Sequence, residues 1–255
     1  MTRFSANLGF LWTELSLRDA ICAAARAGFD AVECHWPYNT PAADVAAALA
    51  ETGLPMLGLN TRRGNVASGE NGLAALPGRE VEARAAIDEA LSYAEAVDAR
   101  AVHVMAGCAE GAAAEAAFTA NLRYACERAG PNRIILIEPL NPWDAPGYFL
   151  NRTGQAAEII AGVGASNLKL MFDCYHVGRT EGDVIGRLRA LMPIIGHIQF
   201  ASVPDRGPPG HGELDLGPVF AEISALGWIV PLGAEYKVTG PTSDSLGWMQ
   251  VLRRN

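Results

Sequence analysis

The chain has 255 residues, half of them apolar, with a formal net charge of −8. That length suits one large domain with enough apolar side chains for a full core. The acidic balance disfavours affinity built on neutralising phosphates, and no run approaches about 18 uninterrupted apolar residues, so neither a nucleic-acid nor a membrane partner is expected.

Short apolar runs alternate with alanine-rich amphipathic ones along the whole chain. A first strand is predicted over Phe4–Phe10, followed by a helix over Leu17–Ala27 with Ser16 as its cap and Gly28 as its stop. Strand two covers Ala31–Cys34, and Pro41 opens a helix over Ala42–Glu51. Strand three is PMLGLN, Pro55–Asn60, with a long helix at Arg79–Val97. Strand four spans Ala101–Met105 and its helix Ala112–Ala129. Strand five, Arg133–Ile137, is almost purely apolar, and Thr153 caps a helix reaching Ala161. Strand six is Leu168–Phe172 with a helix over Gly182–Leu191. Strand seven is Ile194–Phe200 with a helix over Gly217–Leu226. Strand eight is Leu232–Tyr236, and a helix over Thr242–Leu252 closes the chain.

Continuous apolar strands alternating with helices indicate a parallel sheet covered by helices, and eight such units predict a single-domain α/β (β/α)8 TIM barrel over residues 1–255. The competing doubly wound sheet would want a G-x-G-x-x-G turn after strand one, and none is present. Two long loops, 61–78 and 201–216, fall on the strand-to-helix side, where barrel active sites lie. The first could close over the site and exclude water. The five cysteines are odd in number and have no C-x-x-C spacing, and the N-terminal stretch lacks the apolar core of a signal peptide. A reducing, cytoplasmic setting is therefore expected, with self-association left open.

Four polar residues end four consecutive strands: Glu138 after L-I, Asp173 after M-F, Gln199 in H-I-Q-F and Glu235 after G-A. A carboxylate after a buried strand is costly unless it is paired, protonated or bound to a cation. Three of them with an amide oxygen call for one divalent ion, and the oxygen-rich set suits Mg2+ or Mn2+. Zinc or cobalt would more commonly recruit histidine. Local caps and salt bridges are the plainer alternative. His176, three residues past Asp173, could bind the metal or hydrogen-bond a substrate oxygen. Arg206 could hold a substrate carboxylate in a bidentate fork, or be a solvated surface residue. His35 stands at the right end of strand two to line the pocket. His197 reads as a buried layer residue, His103 as structural, and His211, in a Gly/Pro-rich loop, as a possible part of a lid.

Pieces spread over the chain resemble one family. They are F-S-A-N-L at 4–8, G-E-N-G-L-A-A-L-P-G-R-E at 69–80, L-I-E-P-L-N at 136–141, P-G-Y-F-L at 146–150, F-D-C-Y-H at 172–176, G-H-I-Q at 196–199 and E-Y-K at 235–237. Together they resemble the hydroxypyruvate isomerase family of the xylose-isomerase-like barrels. The resemblance implies that Glu138 and Glu235 are an acid/base pair as well as metal ligands, with Asp173 and Gln199 as the other ligands. It implies His176 and Arg206 as substrate contacts. His35-Trp36-Pro37-Tyr38 departs from the family, which more often has phenylalanine before Pro-Tyr, and Asn60-Thr61-Arg62-Arg63 is more basic than expected.

The implied substrate is a small 2-oxo hydroxy acid. The implied reaction moves a proton between neighbouring carbons, as in hydroxypyruvate to 2-hydroxy-3-oxopropanoate, through an enediolate. A 2-oxo-tetronate isomerase or a ketose 3-epimerase would use the same site. An abasic-site endonuclease shares the barrel but needs a multi-zinc cluster and more histidines. A non-catalytic sugar-acid binder would have no use for the acid/base pair.

Overall fold

Eight parallel strands wind in chain order: β1 (Phe4–Asn7), β2 (Ala31–Glu33), β3 (Gly58–Asn60), β4 (Ala101–His103), β5 (Ile134–Ile137), β6 (Leu168–Asp173), β7 (Ile195–Phe200) and β8 (Leu232–Ala234). They belong to a computed structural model that describes residues 2–253. The sheet order β2-β1-β8-β7-β6-β5-β4-β3 leaves β2 and β3 at its two ends. These meet at Val32 and Met56, where Leu57 N–H donates to Val32 O at 2.8 Å and Cys34 N–H to Gly58 O at 3.1 Å. The ring thereby closes into the predicted (β/α)8 barrel, which has no free sheet edge among the described residues.

The outer layer consists of α1 (Leu17–Arg26), α2 (Ala42–Thr52), α3 (Glu80–Ala96), α4 (Gly111–Ala129), α5 (Thr153–Val163), α6 (Cys174–Thr180), α7 (Val184–Leu191), α8 (Leu216–Ala225) and α9 (Trp248–Leu252). Alanine lets these helices lie close to the strands. The buried faces of α1 and α3 carry Ala20, Ala23, Ala24, Ala83, Ala86, Ala90 and Ala94. Ser16 caps α1 as expected, accepting the Asp19 N–H while its hydroxyl donates to the Asp19 carboxylate at 2.6 Å. Between strands and helices, Phe4, Phe200, Phe220 and Trp248 pack in edge-to-face and tilted pairs, with centroids 4.9–5.7 Å apart. A small separate cluster of Ala101, Leu136 and Met171 is also buried.

Several predicted boundaries move for identifiable reasons. β1 stops at Asn7, not Phe10, because the Asn7 side chain accepts the Gly9 N–H at 2.9 Å and its carbonyl accepts Phe10 and Leu11, which turns the chain. Thr153 is not the cap of α5 but its first residue. Its N–H and hydroxyl both go to the buried Glu181 carboxylate. The predicted helix over Gly182–Leu191 begins at Val184, capped by Asp183, and a short α6 unforeseen in the sequence precedes it. The closing helix is broken: Thr242–Ser245 forms a 3-10 turn, and the α-helix restarts at Trp248. Trp12 N–H donates to the buried Thr242 hydroxyl at 2.8 Å, and this anchor sets the break. All five cysteines are free. No helix among the described residues is long and apolar enough to cross a membrane.

Candidate active site

Each strand delivers a polar side chain within one residue of its C-terminal end: Asn7, Glu33, Asn60, His103, Glu138, Asp173, Gln199 and Glu235 in strand order. All but Asn60 are buried. In-register pairing puts Asn7 beside Glu33, Asn60 beside His103 and Asp173 beside Gln199, so neighbouring side chains share one face of the sheet.

Glu138, Asp173 and His176 offer one ligand atom each, all within 4.8 Å of one another. Burial, then the charges of Glu235 and Asp173, raises the Glu138 pKa well above the ordinary carboxylate range. Burial also pushes Asp173 up to about 7, against the opposing pull of Arg206. Asp173 has a second duty: its Oδ1 accepts Tyr175 N–H at 2.8 Å and caps α6, which leaves Oδ2 for the site.

Four oxygens, Glu138 Oε1, Asp173 Oδ2, Gln199 Oε1 and Glu235 Oε2, are buried without a hydrogen-bond partner among the described residues. Orphaned acceptors of this kind are rare in a folded protein and need a compensating group. Three of them are carboxylate oxygens and one is a carboxamide oxygen, a donor set that fits one hard divalent cation. His176 fits a different duty. Its Nδ1 accepts the Asn141 backbone N–H at 2.9 Å and lies 2.8 Å from the Asn141 amide nitrogen. Burial, helped by the charges of Arg206 and His103, holds its pKa well below the ordinary value, so the ring is neutral. Its one proton then sits on Nε2, 3.6 Å from Asp173 Oδ2 and 3.8 Å from Glu138 Oε1. A protonated nitrogen is a donor rather than a metal ligand.

Arg206 is not a surface residue. Its guanidinium lies between the rings of Phe10 and Tyr175, at 4.7 and 5.0 Å. It approaches Glu235 Oε2 at 3.2 Å, Asp173 Oδ2 at 3.6 Å and Asp144 Oδ2 at 3.7 Å. Burial opposes its charge, but Glu235, Asp173, Glu138 and Asp144 outweigh that and raise its pKa. Its backbone is left-handed (φ 59°), and Lys237 N–H donates to its carbonyl at 2.7 Å. A non-glycine residue held in that region at a site is a sign of imposed geometry. His35 faces the same acid group, with Nε2 2.8 Å from Glu235 Oε1. His211 points away, pairing with Asp205 on the exposed part of its loop.

Two residues of the site escaped the sequence reading. His103 is the last residue of β4 rather than mid-strand, and its Nδ1 lies 3.6 Å from Glu138 Oε2. Burial, then the charge of His35, takes its pKa down to about 3. Glu33 ends β2 and was passed over, although A-V-E has the same form as L-I-E, M-F-D and G-A-E. The 61–78 loop is pinned rather than free along its length. Gly72 bridges Ala106, and Leu73, Ala74 and Ala75 are buried.

The family model described as the xylose isomerase-like TIM barrel matches residues 21–252. A 2-oxo-tetronate isomerase of Cupriavidus necator is 43% identical over 255 residues, covering 98% of each chain. The hydroxypyruvate isomerase of Escherichia coli is 37% identical over 261 residues, covering 99% of this chain and 100% of that one. A crystal structure described as an AP endonuclease, family 2, from Brucella melitensis superposes with a TM-score of 0.95 at 36% identity, covering 98% of this chain and 99% of the other. A match of that extent, on a barrel whose strand ends converge on one acidic pocket, makes this chain a member of the xylose isomerase-like TIM barrel family.

Proposed function

We propose that the chain is an isomerase of a small 2-oxo hydroxy acid that interconverts a hydroxymethyl ketone and a hydroxyaldehyde, with hydroxypyruvate and 2-hydroxy-3-oxopropanoate as the leading pair. The observation that carries this reading is the set of four orphaned buried oxygens on Glu138, Asp173, Gln199 and Glu235, beside a buried arginine. The named relatives, isomerases of 2-oxo acids at 43% and 37% identity, support the same class.

Glu138, Asp173, Gln199 and Glu235 would hold one Mg2+ or Mn2+, which when bound would stabilise negative charge developing on the substrate oxygens. Arg206 holds the substrate carboxylate, its planar fork matching the two oxygens. One of Glu138 and Glu235 takes the proton from C3, and the other delivers a proton to C2 across the planar enediolate. A hydroxyl proton moves from O3 to O2, so atoms and charge balance between the isomers. His176 donates from Nε2 to a substrate oxygen, and its neutral state keeps it a donor without adding charge. His35 orients Glu235. The five free thiols fit a reducing, cytoplasmic setting.

A four-carbon 2-oxo-tetronate is the second substrate reading, favoured by the 43% identical relative. Proton NMR in D2O with Mn2+ or Mg2+ tests both substrates. The expected result is product carrying solvent deuterium at C2. Failure of either substrate to isomerise or exchange, together with cleavage of abasic DNA, would replace this reading with that of the Brucella melitensis structure's description.

A further inference from the structure

A second polar cluster shares Gln199 with the set of orphaned oxygens. Its centre is Glu33, buried at the end of β2. One carboxylate oxygen, Oε1, accepts from Asn7 Nδ2 at 3.0 Å and from Gln199 Nε2 at 2.7 Å. The other, Oε2, lies 2.6 Å from His197 Nε2. Both oxygens of this buried carboxyl group are thus met by side-chain nitrogens.

We propose that Glu33 is a positioning residue that fixes which way the Gln199 carboxamide faces, so that its oxygen rather than its NH2 is presented to the metal site. The proposal rests on the reading of Gln199 as a metal ligand. A carboxamide is nearly isosteric under a half-turn, so packing cannot choose between its two ends, and only a hydrogen-bond partner can. Glu33 Oε1 already accepts from Asn7 Nδ2, whose own Oδ1 is taken by Gly9 N–H, so this carboxyl oxygen meets Gln199 as an acceptor. It therefore binds the NH2 end, and a flipped Gln199 would set two acceptors against each other at 2.7 Å. The oxygen left over is the buried, unpartnered Oε1, on the strand position in register with Asp173. Asn7 is fixed by the same logic, because its Oδ1 accepts Gly9 N–H at 2.9 Å while its NH2 meets Glu33.

An independent feature agrees. Gly233, beside Gln199 in register on β8, has an ordinary strand backbone and no conformational need for glycine. A Cβ there would lie 2.6 Å from Glu33 Oε1, 2.9 Å from its Oε2 and 2.8 Å from Gln199 Cγ. The missing side chain makes the space in which Glu33 and Gln199 meet.

The test is Mn2+ affinity of metal-free protein by calorimetry, for wild type, Glu33→Gln, Gln199→Ala and the double variant, with circular dichroism to confirm the fold. Glu33→Gln is expected to weaken Mn2+ by about 10–100-fold, the usual effect of losing a ligand's supporting partner. In the Gln199→Ala background the same change should cost little, because no amide remains to orient. Equal losses in the two backgrounds, to within about 2-fold, would overturn the proposal. Gly233→Ala supplies a second route, since it displaces the pair without altering charge. It too should weaken Mn2+, and normal affinity in this variant would also overturn the proposal. Wild type that binds no Mn2+ would instead remove the functional reading on which the proposal stands.

Discussion

Glu138 and Asp173 share a buried cluster with Glu235, and burial, with repulsion between neighbouring carboxylates, makes them retain protons. With Asp173 raised to about 7 and Glu138 well above its ordinary range, the metal-free site holds at least one proton near neutral pH. A cation must displace it, so affinity should rise with pH through this range, by about tenfold per unit for each proton released. Titration of metal-free protein with Mn2+ at pH 6, 7 and 8, in buffers of different ionisation enthalpy, reads both the affinity and the released proton. A pH-independent affinity would contradict the protonated cluster. Glu138→Gln and Glu235→Gln remove the groups assigned to proton transfer. Each should lower turnover by about 10²–10⁴-fold with the fold retained, and a variant with near-normal turnover would end that assignment. At this scale the sequence was most legible where a carboxylate follows a purely apolar run, as at Glu138 and Asp173. Glu33 carried the same signal, but its role depends on partners from β1 and β7, 26 and 166 positions away, which no local pattern reveals. His103 was placed mid-strand because β4 was expected to run two residues further.

Short strands set the mouth of the barrel, and the loops that follow them take their shape from contacts at those strand ends. The segment after β3 shows this. Thr61 accepts Met105 N–H on its hydroxyl, Ala74 and Ala75 donate to Met105 and Ala106, and Gly72 crosses against Gly107. Gly72 has φ +118°, and a Cβ there would lie 2.6 Å from Met105 O. Gly72→Ala therefore combines left-sided backbone strain with a clash against main chain, which should cost about 2 kcal/mol or more. In a chain of this size that is a fall of about 4–8 °C in Tm, and limited proteolysis should cut first in the exposed 64–69 stretch. An unchanged melting curve would mean that the loop is not held at this crossing. Periodicity and turn residues were sufficient to find the strand and helix cores. They failed where a distant partner overrides local preference: Glu181 takes the Thr153 donors from the expected cap, and Thr242 is tied to Trp12, which splits the last helix.

The eightfold alternation of apolar strand and alanine-rich helix was legible from composition and period alone, because a closed barrel repeats one local solution around a ring. What it costs the molecule to carry an acid cluster at the mouth of that ring becomes visible only with the structure. A carboxyl whose folded pKa lies above its unfolded value favours folding least at high pH: its penalty is absent below the unfolded pKa and grows as pH rises towards the folded one. Glu138 is such a group, so metal-free Glu138→Gln should be more stable than metal-free wild type at pH 8, by roughly 2–6 °C in Tm, with the gap closing near pH 4. Saturating Mn2+ should reverse the order. Wild type would gain about 2.7 kcal/mol at a hundredfold excess over Kd, while the variant, short of one ligand, gains far less at the same concentration. Differential scanning calorimetry of both proteins at the two pH values, with and without the ion, measures all of these differences. If Glu138→Gln is the less stable protein without metal at pH 8, the cluster is not the strained, cation-seeking site described above.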